Sequence, residues 1–163
     1  MDPSSIAPAP GPTMQVLIRE GGTEHPLEIP DTSTVIELKR KIEQQLGMEV
    51  ERQEVMFNQF KLHKYMQTLK EYGISNGNKI YLFRKIRIWI ITPECRYRVM
   101  IVRTDTIRDL KELILAEDFF YPVSPDAMRF RVSGQNDYID NDDVILAVYG
   151  IEENTMIHLY LNN

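Results

Sequence analysis

The chain has 163 residues, of which 43% are hydrophobic and 26% charged, and its net charge is −5. This is the composition of an ordinary soluble globular protein. We expect no membrane association, because the sequence has neither an apolar run of spanning length nor a basic and apolar amino-terminal signal. The single cysteine, Cys95, excludes an internal disulfide and favours a reducing compartment, so we expect the cytoplasm, the nucleus or both.

The sequence contains an internal duplication. Segment 34–39 recurs at 106–111, 72 residues later, and segment 72–74 recurs at 149–151, 77 residues later. An offset that grows along the chain indicates one duplicated folding unit with small insertions in its second copy, and the repeat is long enough for a small domain. The predicted organisation is a disordered, proline-rich tail followed by two domains: 1–13, 14–85 and 86–163.

Each copy begins with alternating apolar residues, which predict two strands joined by a turn. In the first copy the turn includes Gly21, where a glycine suits the positive φ of a tight hairpin. In the first copy the predicted strands are 14–18 and 27–29, with the turn at 20–23. In the second copy they are 86–90 and 97–101, with the turn at 92–94.

A helix follows in each copy. Thr34 is the predicted N-cap of the first, Glu37 completes a capping box, and Gly47 ends the helix. Thr106 and Asp109 have the same spacing in the second copy. An apolar stripe on each helix predicts packing against a sheet.

Further strands follow each helix: a third strand, a short edge strand and a last strand. The predicted positions are 54–57, around Leu62 and 80–83 in the first copy, and 129–132, around Ile139 and 157–160 in the second. The order is ββαββ plus a final strand, so the fold class is α+β, with one helix across one face of a mixed sheet.

At these positions the chain resembles ubiquitin. The matching segments of the first copy are 14–16, 34–42 and 69–74, and those of the second are 125–129, 149–151 and 157–159. The resemblance covers everything except the tail and implies two tandem ubiquitin-like β-grasp domains. Ubiquitin-type modifiers finish in Gly-Gly, which their activating enzymes require. This chain finishes at Asn163, so we expect no conjugation through that end.

Ubiquitin-like proteins bind partners through a shallow apolar patch on the exposed sheet face. The resemblance implies that Met56, Tyr81 and Phe83 occupy the patch, with Phe60 at its edge. Strand alternation independently predicts that Met56, Tyr81 and Phe83 point outward together, and apolar and aromatic side chains converging on one face indicate a contact surface. The alternative is that this face packs against the second copy.

The corresponding positions of the second copy are Arg131, His158 and Tyr160. A charged Arg131 at the centre should reject partners that bury ubiquitin's isoleucine, because an unpaired buried charge is costly. Trp89 also points outward from the first strand of this copy, where either a partner or the other copy could cover it. We therefore expect the two copies to bind differently.

Other chemistries are less well supported by the sequence. Residues 14–85 carry 11 basic and 10 acidic residues and residues 86–163 carry 8 and 13, so we expect no concentrated basic face and no nucleic-acid binding. Cys95 has no local motif that places a histidine beside it. The acidic stretch 137–143 lacks the ligand spacing of a calcium loop. We expect no catalytic residues, no metal and no cofactor.

The sequence thus favours a monomeric, non-conjugated adaptor that is not an enzyme and binds ubiquitin-binding-type domains or ubiquitin-pathway components. Two alternatives stay open: a covalent modifier whose Gly-Gly tail is missing from this chain, and a structural subunit of a larger complex.

Overall fold

The structure is a computed structural model that describes residues 11–117 and 124–162. It divides into two compact units, Met1–Arg84 and Lys85–Asn163. Residues 1–10 of the predicted tail lie outside the described part. The first strand begins at Thr13, and the Pro12 carbonyl accepts a hydrogen bond from the Asp31 amide.

The first unit is a five-stranded sheet with one α-helix in the described residues. Its elements are β1 (Thr13–Glu20), β2 (Thr23–Pro30), α1 (Val35–Leu46), β3 (Gln53–Phe57), β4 (Phe60–Lys61) and β5 (Lys79–Arg84). The strand order is β2-β1-β5-β3-β4, in which β1 and β5 are parallel and the other neighbours antiparallel. The apolar stripe Val35, Leu38 and Ile42 of α1 is buried in the hydrophobic core, as its spacing predicts.

The second unit repeats this plan over β6 (Ile86–Ile91), β7 (Arg96–Ile101), α2 (Ile107–Ala116), β8 (Met128–Val132) and β9 (Met156–Leu161). The strand order is β7-β6-β9-β8, with β6 and β9 parallel. The edge strand predicted around Ile139 is reduced to one bridge between Phe130 and Ile139. The second unit has its own hydrophobic core, which includes Ile107, Leu110 and Ile114 of α2. Both units have the β-grasp fold that the sequence predicts.

The helix ends follow the predicted caps, with one difference. Gly47 ends α1 at φ 75°, and the Thr34 hydroxyl accepts the Glu37 amide. Around Thr106 the capping box is complete, because the Thr106 amide donates to the Asp109 carboxylate and the Asp109 amide donates to the Thr106 hydroxyl. The contacts described for Glu37 do not include a bond from the Thr34 amide to its carboxylate. The shorter Asp side chain completes the second box.

The β3–β4 hairpin has a strained turn. Asn58 and Gln59 have φ of 49° and 68°, which is the pattern of a two-residue type I′ turn. Glycine is preferred at the second position because it has no Cβ to clash there.

Replacing Gln59 with glycine should therefore raise the free energy of unfolding of the first unit by about 1 kcal/mol. Urea unfolding followed by NMR signals of β1 to β5 measures this change. Gln44→Gly is the matched control, because the same substitution in exposed α1 should lower stability by a few tenths to about 1 kcal/mol. If both variants were destabilised equally, the turn would not be strained.

Candidate protein-binding surfaces

The two sides of the first sheet differ as alternation predicts. Val55 and Ile80 are fully buried against the core. Met56 and Phe83 are half-buried and Tyr81 is 42% exposed, all on the opposite side. We call the surface formed by Met56, Tyr81 and Phe83 the first face.

Strand register brings these side chains together. Met56 is directly opposite Tyr81 across the antiparallel β3–β5 pair, and Phe83 follows on the same side of β5. Opposed Cβ atoms in such a pair lie about 5 Å apart, within side-chain contact. The three predicted residues therefore form one continuous apolar surface.

The place of Phe60 relative to Met56 follows from the β3–β4 register. Register sets Phe60 opposite Phe57, whereas Lys61 is opposite Met56. Opposed residues lie on the same side of a sheet, so Lys61 is the neighbour of Met56. Phe60 is 69% exposed at the end of the hairpin.

A buried carboxylate lies within the first face. Glu54 is only 3% exposed although it is on the outward side, opposite Phe83. Its Oε1 atom lies 2.8 Å from Nε2 of His63, a side chain that is 60% exposed. A buried carboxylate requires such a partner, because an uncompensated one would be costly.

Charged residues border the first face on the β1–β2 side. Glu24 lies 3.1 Å from Lys79 Nζ and 3.3 Å from Arg19 Nη1. The hydrogen bond from Lys79, with the nearby charge of Arg19, lowers the pKa of Glu24. Arg19 is level with Tyr81 across the parallel β1–β5 pair, so the apolar surface ends at this cluster.

The predicted residues of the second unit also share one outward side. Trp89 alternates with the buried Ile88 and Ile90 in β6, and His158 and Tyr160 alternate with buried residues in β9. The His158 and Tyr160 rings are stacked with centroids 6.4 Å apart. Arg131 is opposite His158 across the β8–β9 pair.

Arg131 is held in place by contacts along this side. It donates to the Tyr160 hydroxyl at 3.0 Å and to the Gln135 carbonyl at 3.1 Å. The bond to Tyr160 raises the pKa of Arg131, a group already charged at every physiological pH. Arg129 stacks over Tyr138 at 4.0 Å from the ring centroid.

The prediction that neither copy has a concentrated basic face is wrong for the second. Five arginines stand on its outward side, and we call this surface the second face: Arg87, Arg96, Arg98, Arg129 and Arg131. The net acidity of this copy concealed the arrangement, since composition does not show which residues share a face. Alternation within each strand was the available signal.

Other candidate chemistries find no assembled site in the described residues. Cys95 is exposed in the turn between β6 and β7, with Sγ 2.7 Å from the Tyr97 hydroxyl. Across residues 11–117 and 124–162, no three His, Cys, Asp or Glu side chains form a group that could hold a metal ion. Nor does that part of the chain include a helix with the length and apolarity to cross a membrane.

The comparison with protein families identifies the fold's relatives. Residues 16–87 match the model of the ubiquitin family. The first unit is a ubiquitin-like domain. The matched segment covers most of the first unit, and the second unit has the same strand order and the same central parallel pair. The protein is therefore a tandem ubiquitin-like protein.

Solved structures of ubiquitin-like domains are similar to parts of the chain. The ubiquitin-like domain of Plasmodium falciparum Dsk2 is 30% identical over 44% of this chain and 97% of its own, with a TM-score of 0.42. A ubiquitin-like domain from Arabidopsis thaliana is 28% identical over 48% of this chain and 79% of its own, with a TM-score of 0.42. ATBAG1, solved in complex with HSP70, is 21% identical over 44% of this chain and 40% of its own, with a TM-score of 0.41. No curated protein matches the chain significantly.

Proposed function

We propose that this protein is a non-conjugated adaptor that binds protein partners through its outward sheet faces and does not act as an enzyme. The observation that carries the proposal is the first face, where Met56, Tyr81 and Phe83 form a continuous apolar surface on a ubiquitin-family unit. The proposed partners are ubiquitin-binding-type domains or other ubiquitin-pathway components.

The chemistry of the first face suits an interface better than a solvated surface. Methionine and aromatic side chains are enriched at interface centres, and methionine adapts to different partner shapes. Single exposed apolar residues are common on any protein, but three neighbouring ones on one side of a sheet need an explanation. The surrounding charges of Arg19, Glu24 and Lys79 supply the polar rim that interfaces have.

The two units offer different surfaces to partners. The first face is centred on Met56, whereas the corresponding position of the second unit is Arg131. A partner of the first face buries an apolar side chain against Met56. To bind the second unit in the same way, it would have to desolvate the Arg131 guanidinium, which costs several kcal/mol if the charge is left unpaired. Two unlike faces on one chain are what an adaptor needs to connect two partners. The proposal has the protein acting as a monomer in the cytoplasm or nucleus.

Replacing Met56 with glutamate should weaken binding to the partner of the first face by at least about tenfold, since interface centres dominate affinity. The measurement is calorimetric titration of the full chain against a panel of purified ubiquitin-binding domains. One domain must first bind the unaltered chain, and the absence of any binding across the panel would reject the partner class.

Met66→Glu is the matched control for this experiment. Met66 is 79% exposed in the loop that hydrogen-bonds to the start of α1, on the helix side of the sheet. The same change in charge there should leave affinity unchanged. Circular dichroism checks that both variants fold. If Met66→Glu weakened binding as much as Met56→Glu, the first face would not be the contact surface.

A further inference from the structure

Charge is segregated within the second unit. Residues 86–163 contain 8 basic and 13 acidic residues, yet none of the acidic ones is in β6, β7, β8 or β9. Five of the eight basic residues stand on the second face. The unit is thus acidic as a whole and strongly basic on one side of its sheet, which raises the local concentration of anionic groups there.

Four of the five arginines of the second face form two borders around an apolar strip, whereas Arg87 lies on the central strand β6. Register aligns four side chains, one from each strand, in a single row: Arg96, Ile91, His158 and Arg131. Arg96 and Arg131 are therefore three strand spacings apart, or about 14 Å.

The apolar strip lies on the two central strands. Ile91 and Trp89 stand on β6, and Met156 is level with Trp89 on β9. The borders continue along the edge strands: Arg98 is opposite Trp89 on β7, and Arg129 follows Arg131 on β8. Met156 is 43% exposed, so this strip is open to a ligand.

Several border guanidiniums are pre-positioned without acidic partners. Arg96 lies over the Trp89 ring at 5.1 Å and Arg129 over the Tyr138 ring at 4.0 Å. Arg131 uses two of its five N–H donors on Tyr160 and Gln135, which leaves three. Across residues 11–117 and 124–162, none of these three arginines forms an ion pair with a carboxylate. Their capacity for bidentate carboxylate binding is therefore available.

We propose that the second face binds an amphipathic α-helix of a partner protein whose apolar stripe is bordered on both sides by Asp or Glu. The stripe packs on Ile91, Trp89 and Met156, one row of carboxylates pairs with Arg96 and Arg98, and the other pairs with Arg129 and Arg131. This inference rests on the proposed function, because it specifies the partner of the second of the two faces.

The spacing of the borders selects a helix over an extended strand. A helix with its side chains is about 10–12 Å wide, so carboxylates on both sides of its stripe reach borders about 14 Å apart. In an extended strand, successive side chains point up and down rather than left and right, so it cannot pair with both borders while burying an apolar row. A nucleic acid is disfavoured because the net acidity of the unit repels a long polyanion and an apolar strip separates the arginines.

Two synthetic helical peptides test this inference on the full chain. Both carry the same leucine stripe over 18 residues, one with glutamate and the other with lysine at the bordering positions. Fluorescence anisotropy measures each affinity, and we expect the glutamate-bordered peptide to bind at least about tenfold more tightly, with an advantage that shrinks as salt rises. Equal affinities, or no binding by the glutamate-bordered peptide, would overturn the proposal.

Charge reversal on the protein supplies the specific control. Arg96→Glu and Arg131→Glu should each lower the affinity for the glutamate-bordered peptide by about tenfold. The double variant should bind the lysine-bordered peptide more tightly than the glutamate-bordered one. That reversal of preference requires a folded second unit, so misfolding cannot produce it. Arg103→Glu makes the same charge change in an exposed turn off the sheet and should have no effect. An equal loss with Arg103→Glu would mean only non-specific attraction.

Two further outcomes separate this inference from the proposed function. Met56→Glu should leave peptide binding unchanged, because it alters the first face. Suppose that the glutamate-bordered peptide did not bind, while Met56→Glu still abolished binding of a ubiquitin-binding domain. The inference about the second face would then be rejected and the proposed function would stand. Tighter binding of a ten-nucleotide single-stranded RNA than of either peptide would instead reassign the second face to nucleic acid and overturn the proposal.

Discussion

Replacing Phe130 with alanine should lower the free energy of unfolding of the second unit by about 3–5 kcal/mol. Phe130 is fully buried in that unit's core and is opposite Leu159 across the β8–β9 pair. Truncation removes the buried ring and leaves a cavity that the surrounding sheet cannot fully close. Domains of this size are stabilised by only about 4–11 kcal/mol, so the loss is a large part of the total.

The first unit should be unaffected by Phe130→Ala, because its buried residues form a separate core. Trp89 is the single tryptophan of the chain and lies in the second unit, so its fluorescence follows that unit alone during urea unfolding. NMR signals of β1 to β5 follow the first unit. Val148→Ala, at a side chain that is 67% exposed, is the control and should change stability by no more than about 0.5 kcal/mol. An equal loss of stability in both units would contradict the separate cores.

Replacing Gln53 with methionine should destabilise the first unit by about 2–4 kcal/mol. Gln53 is fully buried, and its Nε2 donates at 2.8 Å to the carbonyls of both Lys39 and Met48. Methionine has a similar volume but no donor, so both carbonyls lose this bond in a region that water cannot reach. Each lost hydrogen bond to a buried carbonyl costs about 1–2 kcal/mol.

The same substitution at Gln45 is the control, since this residue is exposed on α1. Gln45→Met should change stability by less than about 0.5 kcal/mol. Chemical denaturation of the full chain, followed through the NMR signals of the first unit, gives both values. If Gln53→Met were as mild as Gln45→Met, the amide of Gln53 would not be needed to bind α1 to the segment before β3.

The sequence was sufficient to predict which side of the sheet carries Met56, Tyr81 and Phe83, because alternation within a strand is a local signal. Alternation in β3 and β5 decides which side chains point outward, and the antiparallel pairing of the two strands then brings Met56 beside Tyr81. The cap at Gly47 and the apolar stripe of α1 are local signals of the same kind. Duplication strengthened these predictions, since each pattern occurs twice.

Features that depend on strand order and register were missed. The arginines of the second face come from three strands, of which β8 is far in sequence from β6 and β7, and the order β7-β6-β9-β8 brings them into one sheet. Burial of Glu54 likewise depends on contacts across the sheet, including the one with His63.

The central claim is that two units of one fold present different chemistry on corresponding faces. The most direct test records amide NMR spectra of the full chain during two titrations. The first adds the glutamate-bordered peptide, and the second adds the ubiquitin-binding domain that binds the unaltered chain in the calorimetric panel. The account predicts shifts in β6, β7, β8 and β9 for the peptide, shifts in β3 and β5 for the domain, and simultaneous binding of both. Overlapping shifts in a single unit, or competition between the two ligands, would contradict it.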